Sequence, residues 1–152
     1  MKTLQTNIAE VCLVYKSKVK ASDRKKISSS RDAHLLIKEN WNPDTIEHVE
    51  EFKVLLMNRS NSVLGIMDVS KGGISGCSVD IRVIFQAAIK ANASGIIISH
   101  SHPSGNLNPS ESDTRLTQKI KDAGNILEIQ LLDHIILTPD EDYYSFADNG
   151  LL

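Results

Sequence analysis

The chain has 152 residues, of which 41% are hydrophobic and 24% are charged, as is ordinary for a soluble globular protein. This length suits one domain, or one domain with a short extension, and folding needs no disulfide or metal. The net charge of −2 argues against a protein that binds nucleic acid by charge alone, because such proteins carry a clear basic excess.

Cysteine content and hydropathy restrict the class of protein further. Cys12 and Cys77 are the two cysteines, too few for a disulfide framework or a four-cysteine zinc site. Met1 to Ala9 contain no apolar core of the kind found in signal peptides, and no apolar run approaches the roughly 20 residues that span a bilayer. We therefore expect a soluble protein of the reducing cytoplasm.

Charge differs between the two parts of the chain. Residues 1–49 hold nine basic and six acidic residues, whereas residues 50–152 hold eight and thirteen. Much of the basic excess comes from six side chains: Lys16, Lys18, Lys20, Arg24, Lys25 and Lys26. Such a run is typical of a solvated edge strand and loop, and the alternative is a patch for an acidic partner.

In the first half of the chain, the pattern predicts one helix and three strands. Ser28 to Ser30 offer caps for a helix with apolar residues at helical spacing, and residues 42–44 (Asn-Pro-Asp) end it. Residues 49–57 and 62–69 predict a hairpin, because two apolar runs flank a polar turn. The remaining strand, 8–15, is predicted from its β-branched and apolar residues.

The second half alternates helices with apolar strands. Residues 79–91 show a 3.6-residue apolar period and predict an amphipathic helix. The uninterrupted apolar run 96–98 predicts a buried central strand. Later segments predict a helix over 115–120 that ends near Gly124, and strands over 126–132, 134–138 and 143–146. This order predicts an α/β domain with a mixed β-sheet flanked by helices.

Residues that suggest chemistry follow the predicted strand 96–98. His100 and His102 are two residues apart, so on an extended chain their side chains point to the same face. Asp113 would lie in the first turn of a helix capped by Ser110, after a loop rich in Pro, Gly and Asn that doubles back. Two imidazoles and one carboxylate supply three metal ligands and leave the fourth position open, as in catalytic zinc sites.

Each of these residues also has an explanation without a metal. The spacing Ser110-x-x-Asp113 is typical of a helix capping box, and an acid in the first turn compensates the helix dipole. A single His-x-His pair arises easily by chance. Their coincidence at one strand–loop–helix junction favours the metal site.

The pattern His-x-His, seven residues, Ser, two residues, Asp resembles the signature of the JAMM (MPN-type) zinc metalloprotease superfamily. His100, His102, Ser110 and Asp113 match it without a gap. Four further segments resemble the RadC-like bacterial branch, whose members are JAB domain proteins: residues 83–88, 99–105, 132–134 and 145–152. On this basis we divide the chain into an N-terminal strand and basic loop, 1–26, and a RadC-like JAMM/MPN domain, 27–152.

The resemblance implies a cytidine-deaminase-like (JAMM/MPN) fold and a zinc-dependent hydrolase of the metallopeptidase or isopeptidase type. It implies Zn²⁺ as cofactor, with His100, His102 and Asp113 as ligands. In the family, a zinc-bound water attacks an amide carbonyl of a protein or peptide substrate. Ser110 would help to stabilise the oxyanion that forms, and a hydroxyl group can do this while its lone pair caps a helix.

The resemblance also implies a glutamate on an earlier strand that activates the water and shuttles its proton. The RadC-like pattern places this residue two positions before a Phe, which selects Glu50, two residues before Phe52. Glu51 is the rival, and strand alternation directs the two side chains to opposite faces, so only one of them can reach the zinc. The alternative is that both are solvated charges at the start of a strand.

Other functions are open alternatives. The RadC-like branch carries a DNA-repair or recombination label, but only about 26 residues stand where longer members carry a helix-hairpin-helix region. A non-catalytic JAMM binding module is another alternative. A nucleobase deaminase would need His-x-Glu and Pro-Cys-x-x-Cys, whereas this site has His-x-His and the chain has no Cys-x-x-Cys. His134 is part of the family pattern and is interpreted as a core residue or a neighbour of a ligand.

Overall fold

A computed structural model describes residues 7–12, 14–73 and 76–152 of the chain. The elements in chain order are a short 3₁₀ helix (Ala21–Asp23), α1 (Ser30–Glu39), β1 (Glu51–Met57), β2 (Val63–Lys71), α2 (Ile81–Lys90), β3 (Gly95–Ser101), α3 (Glu111–Leu127), β4 (Gln130–Leu137) and β5 (Tyr143–Ser145). Within the described ranges, no helix is both long enough and apolar enough to cross a bilayer.

The five strands form one mixed sheet in the order β2-β1-β3-β4-β5. β3 and β4 are parallel, and the other neighbouring pairs are antiparallel. The β1–β2 hairpin follows directly from its polar turn, whereas the parallel β3–β4 pair requires the crossover that α3 supplies. The architecture confirms the predicted α/β fold with a mixed sheet flanked by helices.

Local sequence explains where the first two helices begin. Ser29 accepts a hydrogen bond from the backbone N–H of Asp32 and caps α1. Asp80 accepts one from the backbone N–H of Arg82 and caps α2. Each cap satisfies an N–H that has no partner within its helix, so both predicted helices are confirmed with shifted ends.

The sheet carries an apolar layer on each face. Along β1, Phe52 and Val54 pack against α2 and α3, whereas Leu55 and Met57 pack against α1. All residues of β1 and β3 are buried, which makes these two strands the centre of the domain. Burying each large apolar side chain contributes roughly 1.5–3 kcal/mol, so the central pair forms a rigid base for side chains at its ends.

The predicted N-terminal strand over residues 8–15 is wrong. Residues 8–12 and 14–15 lie in no strand, and Leu13 lies outside the described residues. Val11 is 84% exposed, so the apolar side chains of this segment have no core to join. β-branched residues favour extended backbone, but a strand also needs a partner strand, and residues 8–12 and 14–15 have none within the described ranges.

The predicted boundary between α3 and β4 is also wrong. α3 continues past Gly124 to Leu127, so no strand begins at Ile126. β4 then runs unbroken through Asp133, where two strands were predicted. The buried Asp133 carboxylate accepts hydrogen bonds from the Ser145 hydroxyl and the Ala147 N–H, and this satisfies a polar group that would otherwise interrupt a strand.

Candidate metal centre

Strand β3 positions the two histidines. It extends to Ser101, three residues beyond the predicted end, so His100 lies inside the sheet and is 4% exposed. The backbone N–H of His102 donates to the Leu137 carbonyl at 2.7 Å, which keeps the chain extended for one further residue. The two rings therefore converge on the same face, with their Nε2 atoms 2.9 Å apart. The predicted alignment of the two imidazoles is confirmed.

The first turn of α3 positions Asp113. The Ser110 hydroxyl accepts from the Asp113 N–H at 3.0 Å, and the Asp113 carboxylate accepts from the Ser110 N–H at 2.8 Å. The same carboxylate lies 3.3 Å from Nε2 of His100 and 3.4 Å from Nε2 of His102. The capping box and the metal-site interpretation therefore hold together, because the cap orients the carboxylate toward the rings.

The spacing of the three donors fits a tetrahedral ion. The two Nε2 atoms are 2.9 Å apart, Oδ1 of Asp113 lies 3.3 Å from Nε2 of His100, and Oδ2 of Asp113 lies 3.4 Å from Nε2 of His102. Ligands placed about 2.0–2.1 Å from a tetrahedral ion lie roughly 3.3–3.4 Å from one another. His100, His102 and Asp113 could therefore hold a metal ion. Imidazole nitrogen and carboxylate oxygen are donors that suit zinc and its neighbours in the first transition row.

The protonation of His102 leaves its Nε2 available to an ion. Its Nδ1 lies 2.6 Å from the Asn106 carbonyl, which can only accept a hydrogen bond. Nδ1 therefore carries a ring proton, and whenever the ring is neutral its Nε2 is a bare lone pair directed at His100 and Asp113. Lone pairs that face one another at this distance repel, and a cation among them removes the repulsion.

The charges of the site favour a bound cation. Burial would raise the pKa of Asp113, but its close contacts with the imidazoles of His100 and His102 outweigh burial and hold this pKa well below its ordinary value. Burial would lower the pKa of His102, but the bonds to Asp113 and Asn106, with the nearby charge of Glu50, leave this pKa raised. An ionised carboxylate at a half-buried site attracts a positive partner, whether a proton or a metal ion.

The two candidate glutamates lie in different environments. Glu50 is half-buried and directly precedes β1, and its charge acts on His102. Glu51 is 8% exposed and is held by the Thr45 hydroxyl at 3.0 Å and the Lys71 ammonium at 3.2 Å. The side chain of Glu51 is therefore engaged in a structural ion pair. The Glu50 carboxylate does not join the three-residue donor group, and its role as proton shuttle stays a prediction.

Sequence reasoning did not single out one neighbour of the ligands. Thr117 is 2% exposed, and its hydroxyl lies 2.6 Å from Nδ1 of His134, which in turn contacts His100. The only sequence signal for Thr117 is its position four residues after Asp113, on the same face of α3. His134 is fully buried, as expected for a core residue, and burial lowers its pKa well below its ordinary value.

A mixed sheet with a His-x-His pair at the end of its central strand and an aspartate on the next helix defines a domain of the JAB/MPN class with a possible metal site. Residues 27–151 match the family model described as the RadC-like JAB domain, and the chain belongs to that family. A UPF0758 protein of Flavobacterium johnsoniae is 46% identical over 127 residues, which cover 84% of this chain and 54% of the relative. A UPF0758 protein of Clostridium kluyveri is 38% identical over 145 residues, which cover 95% of this chain and 61% of the relative.

The chain thus spans little more than half the length of these curated relatives. The shared part includes the segment with His100, His102 and Asp113, because the family match runs from residue 27 to residue 151. Family membership supports the fold and the possibility of a metal site, and leaves activity, substrate and partners to be proposed.

Proposed function

We propose that this domain is a zinc-dependent hydrolase of the metallopeptidase or isopeptidase type, which cleaves an amide bond in a protein or peptide. The observation that carries the proposal is the convergence of His100, His102 and Asp113, whose donor atoms lie within 4.8 Å of one another and could hold one metal ion. Three protein ligands, rather than four, are typical of catalytic zinc sites. The cysteines in the described part of the chain are free thiols, which is compatible with a cytoplasmic location.

Zinc bound there would supply a water-derived nucleophile at neutral pH and polarise the carbonyl oxygen of the substrate. Glu50, whose charge acts on His102, would accept the proton that the attacking water loses. It would then give this proton to the nitrogen of the leaving amine, so that Glu50 is restored after each cycle. The carbon–nitrogen bond breaks as the amine leaves.

Ser110 would stabilise the oxyanion. Its hydroxyl lone pair already caps α3 by accepting from the Asp113 N–H. The hydroxyl proton is used in no hydrogen bond within the part of the chain that the structure describes, and the residue is exposed. A hydroxyl group can accept and donate at once, so Ser110 can direct its proton to the substrate oxygen.

A DNA-repair or recombination-associated role is the less favoured alternative. Lys26 pairs with Ser62 next to the start of β2, and the β1–β2 and β1–β3 registers place this point at the opposite end of the sheet from His100. Lys26, the last residue of the basic N-terminal run, is therefore remote from the candidate ligands. A DNA role predicts tight duplex binding that weakens steeply with added salt, because binding releases counterions. Weak, salt-insensitive binding would exclude this alternative.

The deciding experiment is a hydrolysis screen with the zinc-loaded protein on libraries of peptides and isopeptide-linked peptides. We expect the unmodified chain to cleave a subset and Glu50→Gln to keep its zinc while its rate falls about 10²–10⁴-fold. Zinc content is measured on the same samples. A fully zinc-loaded chain that cleaves nothing, or a Glu50→Gln variant as fast as the unmodified chain, would contradict the proposal. The first outcome would instead support a non-catalytic binding module.

A further inference from the structure

His134 is a buried histidine that contacts a candidate ligand without belonging to the donor group. It lies on β4, is completely buried, and stacks on the Phe146 ring with centroids 4.6 Å apart. The parallel register pairs Ile98 with His134, so the side chain of His134 faces the same layer as His100, two residues beyond Ile98 on β3. Nδ1 of His100 and Nε2 of His134 are 2.7 Å apart, well within hydrogen-bond distance.

The direction of this hydrogen bond follows from Thr117. The single proton of the Thr117 hydroxyl is donated to the Asp113 backbone carbonyl at 2.7 Å. The hydroxyl can therefore only accept from Nδ1 of His134, which lies 2.6 Å away. A completely buried imidazole is neutral and has one ring proton, so Nε2 of His134 is bare and accepts from Nδ1 of His100.

This chain of donors leaves Nε2 of His100 without a proton. The bare atom faces Asp113 at 3.3 Å and Nε2 of His102 at 2.9 Å, in the arrangement that a metal ion requires. The contacts also close a ring, because Asp113 supplies a carboxylate to the metal centre and its backbone carbonyl to Thr117. β3, β4 and the first turns of α3 are thereby connected through side chains.

We propose that His134 is a positioning residue of the metal centre, which fixes the tautomer and orientation of His100 through its Nε2 acceptor and is itself oriented by Thr117. This inference deepens the proposed function, since it concerns the same metal centre, but it requires metal binding and not hydrolysis. A hydrogen-bond partner behind a metal-binding histidine typically strengthens binding about 10–100-fold.

The test compares two substitutions of His134, one that removes the hydrogen-bond acceptor for His100 and one that keeps an acceptor. His134→Phe keeps an aromatic ring against Phe146 and removes the acceptor, whereas the amide oxygen of His134→Gln can still accept from His100. We expect His134→Phe to weaken Zn²⁺ binding about 10–100-fold in a chelator competition and His134→Gln to remain within a few-fold of the unmodified chain. His34→Phe, a buried histidine stacked on Tyr143 in the other layer, is the matched control and keeps full affinity.

A second readout is independent of the metal. In the zinc-free chain labelled with ¹⁵N-histidine, NMR should show His100 protonated at Nδ1, and His134→Phe should shift it toward the Nε2–H tautomer. A folded His134→Phe variant with unchanged Zn²⁺ affinity and an unchanged His100 tautomer would overturn the inference. If His134→Phe does not fold, Thr117→Val and Thr117→Ser decide, with weaker Zn²⁺ binding expected for Val and recovery for Ser.

The outcomes separate this inference from the proposed function. Zn²⁺ binding that depends on His134, in a chain that hydrolyses nothing, would support the positioning role and contradict the hydrolase. Hydrolysis by a chain whose Zn²⁺ affinity and His100 tautomer are indifferent to His134 would do the reverse.

Discussion

Ser110 and Asp113 exchange two hydrogen bonds across the first turn of α3, each accepting from the backbone N–H of the other. The exchange fixes the Asp113 carboxylate beside the two imidazoles and occupies a lone pair of the Ser110 hydroxyl, but leaves the hydroxyl proton free for a ligand. Ser110 therefore has a structural role and a proposed chemical role that involve different parts of one group, and substitutions can separate them.

Ser110→Gly should separate the two roles. Glycine at a helix N-cap costs only a few tenths of a kcal/mol, whereas alanine costs about 1 kcal/mol. Both variants lack the hydroxyl that would stabilise the oxyanion, a loss of about 10²–10³ in turnover. We expect both to lose turnover to that extent, with a clear loss of stability in urea unfolding only for Ser110→Ala.

Ser110→Thr is the control, because it keeps both the lone pair and the proton. It should retain stability and most of the turnover. If turnover falls only where stability falls, so that Ser110→Gly stays active and Ser110→Ala does not, then Ser110 acts only as a cap.

The donor group predicts about one zinc ion per chain. Asp113→Asn is the sharpest ligand variant, because its side-chain oxygen can still accept from the Ser110 N–H while the negative charge is lost. We expect this variant, together with His100→Ala and His102→Ala, to lose most of the zinc in elemental analysis after dialysis. The asparagine keeps the position of the side chain and removes only its negative charge. Loss of zinc in this variant would therefore show that binding requires the carboxylate charge as well as the two imidazole nitrogens.

Asp122→Asn is the matched control for the charge. Asp122 is an exposed acid on the same helix and bonds to Gln118, away from the donor group. It should keep the full zinc content. A chain that binds one zinc ion equally well with and without the Asp113 charge would place the metal elsewhere.

The sequence predicts where the three candidate ligands lie, because local rules determine their positions. Alternation along an extended strand directs His100 and His102 to one face, and the capping-box spacing places Asp113 in the first turn of α3. The same alternation of side chains along a strand explains why Phe52 and Leu55 of β1 pack in different apolar layers.

Long-range contacts account for what the sequence could not predict. The contact of His134 with His100 depends on the β3–β4 register, which shifts at Ile96–Ile97. The continuity of β4 depends on a hydrogen bond between Asp133 and Ser145, twelve residues later. Residues 8–12 and 14–15 form no strand because they pair with no other strand in the part of the chain that the structure describes, and a local sequence pattern does not show whether such a partner exists.

Glu51 and Glu50 should have opposite phenotypes. Glu51→Gln removes the ion pair with Lys71 and weakens the contact with Thr45 at a buried position, and we expect a loss of about 1–2 kcal/mol in urea unfolding. Turnover should stay within about twofold, since this side chain lies on the other face of the sheet. Glu50→Gln should change stability by less than about 0.5 kcal/mol and abolish most turnover. If Glu51→Gln loses turnover while Glu50→Gln stays active, Glu51 and not Glu50 is the proton shuttle.

His34 predicts a dependence of stability on pH. It is 2% exposed on α1 and stacks on the Tyr143 ring, 4.3 Å between centroids. Burial, and then the charge of Lys38, lower its pKa below the ordinary value of about 6.5. As the pH falls through this value, the unfolded chain takes up a proton that the folded chain does not, so the free energy of unfolding decreases.

The measurement is urea unfolding of the zinc-free chain at about pH 7.5 and about pH 5.5, on either side of the ordinary histidine pKa. His34→Phe keeps a stacked ring but cannot titrate, so it should lose less stability than the unmodified chain, by at most about 1.4 kcal/mol per pH unit. His48→Gln changes an exposed histidine and should leave the pH dependence unaltered. Equal losses in the unmodified chain and His34→Phe would show that other groups, among them the histidines of the metal centre, account for the acid sensitivity.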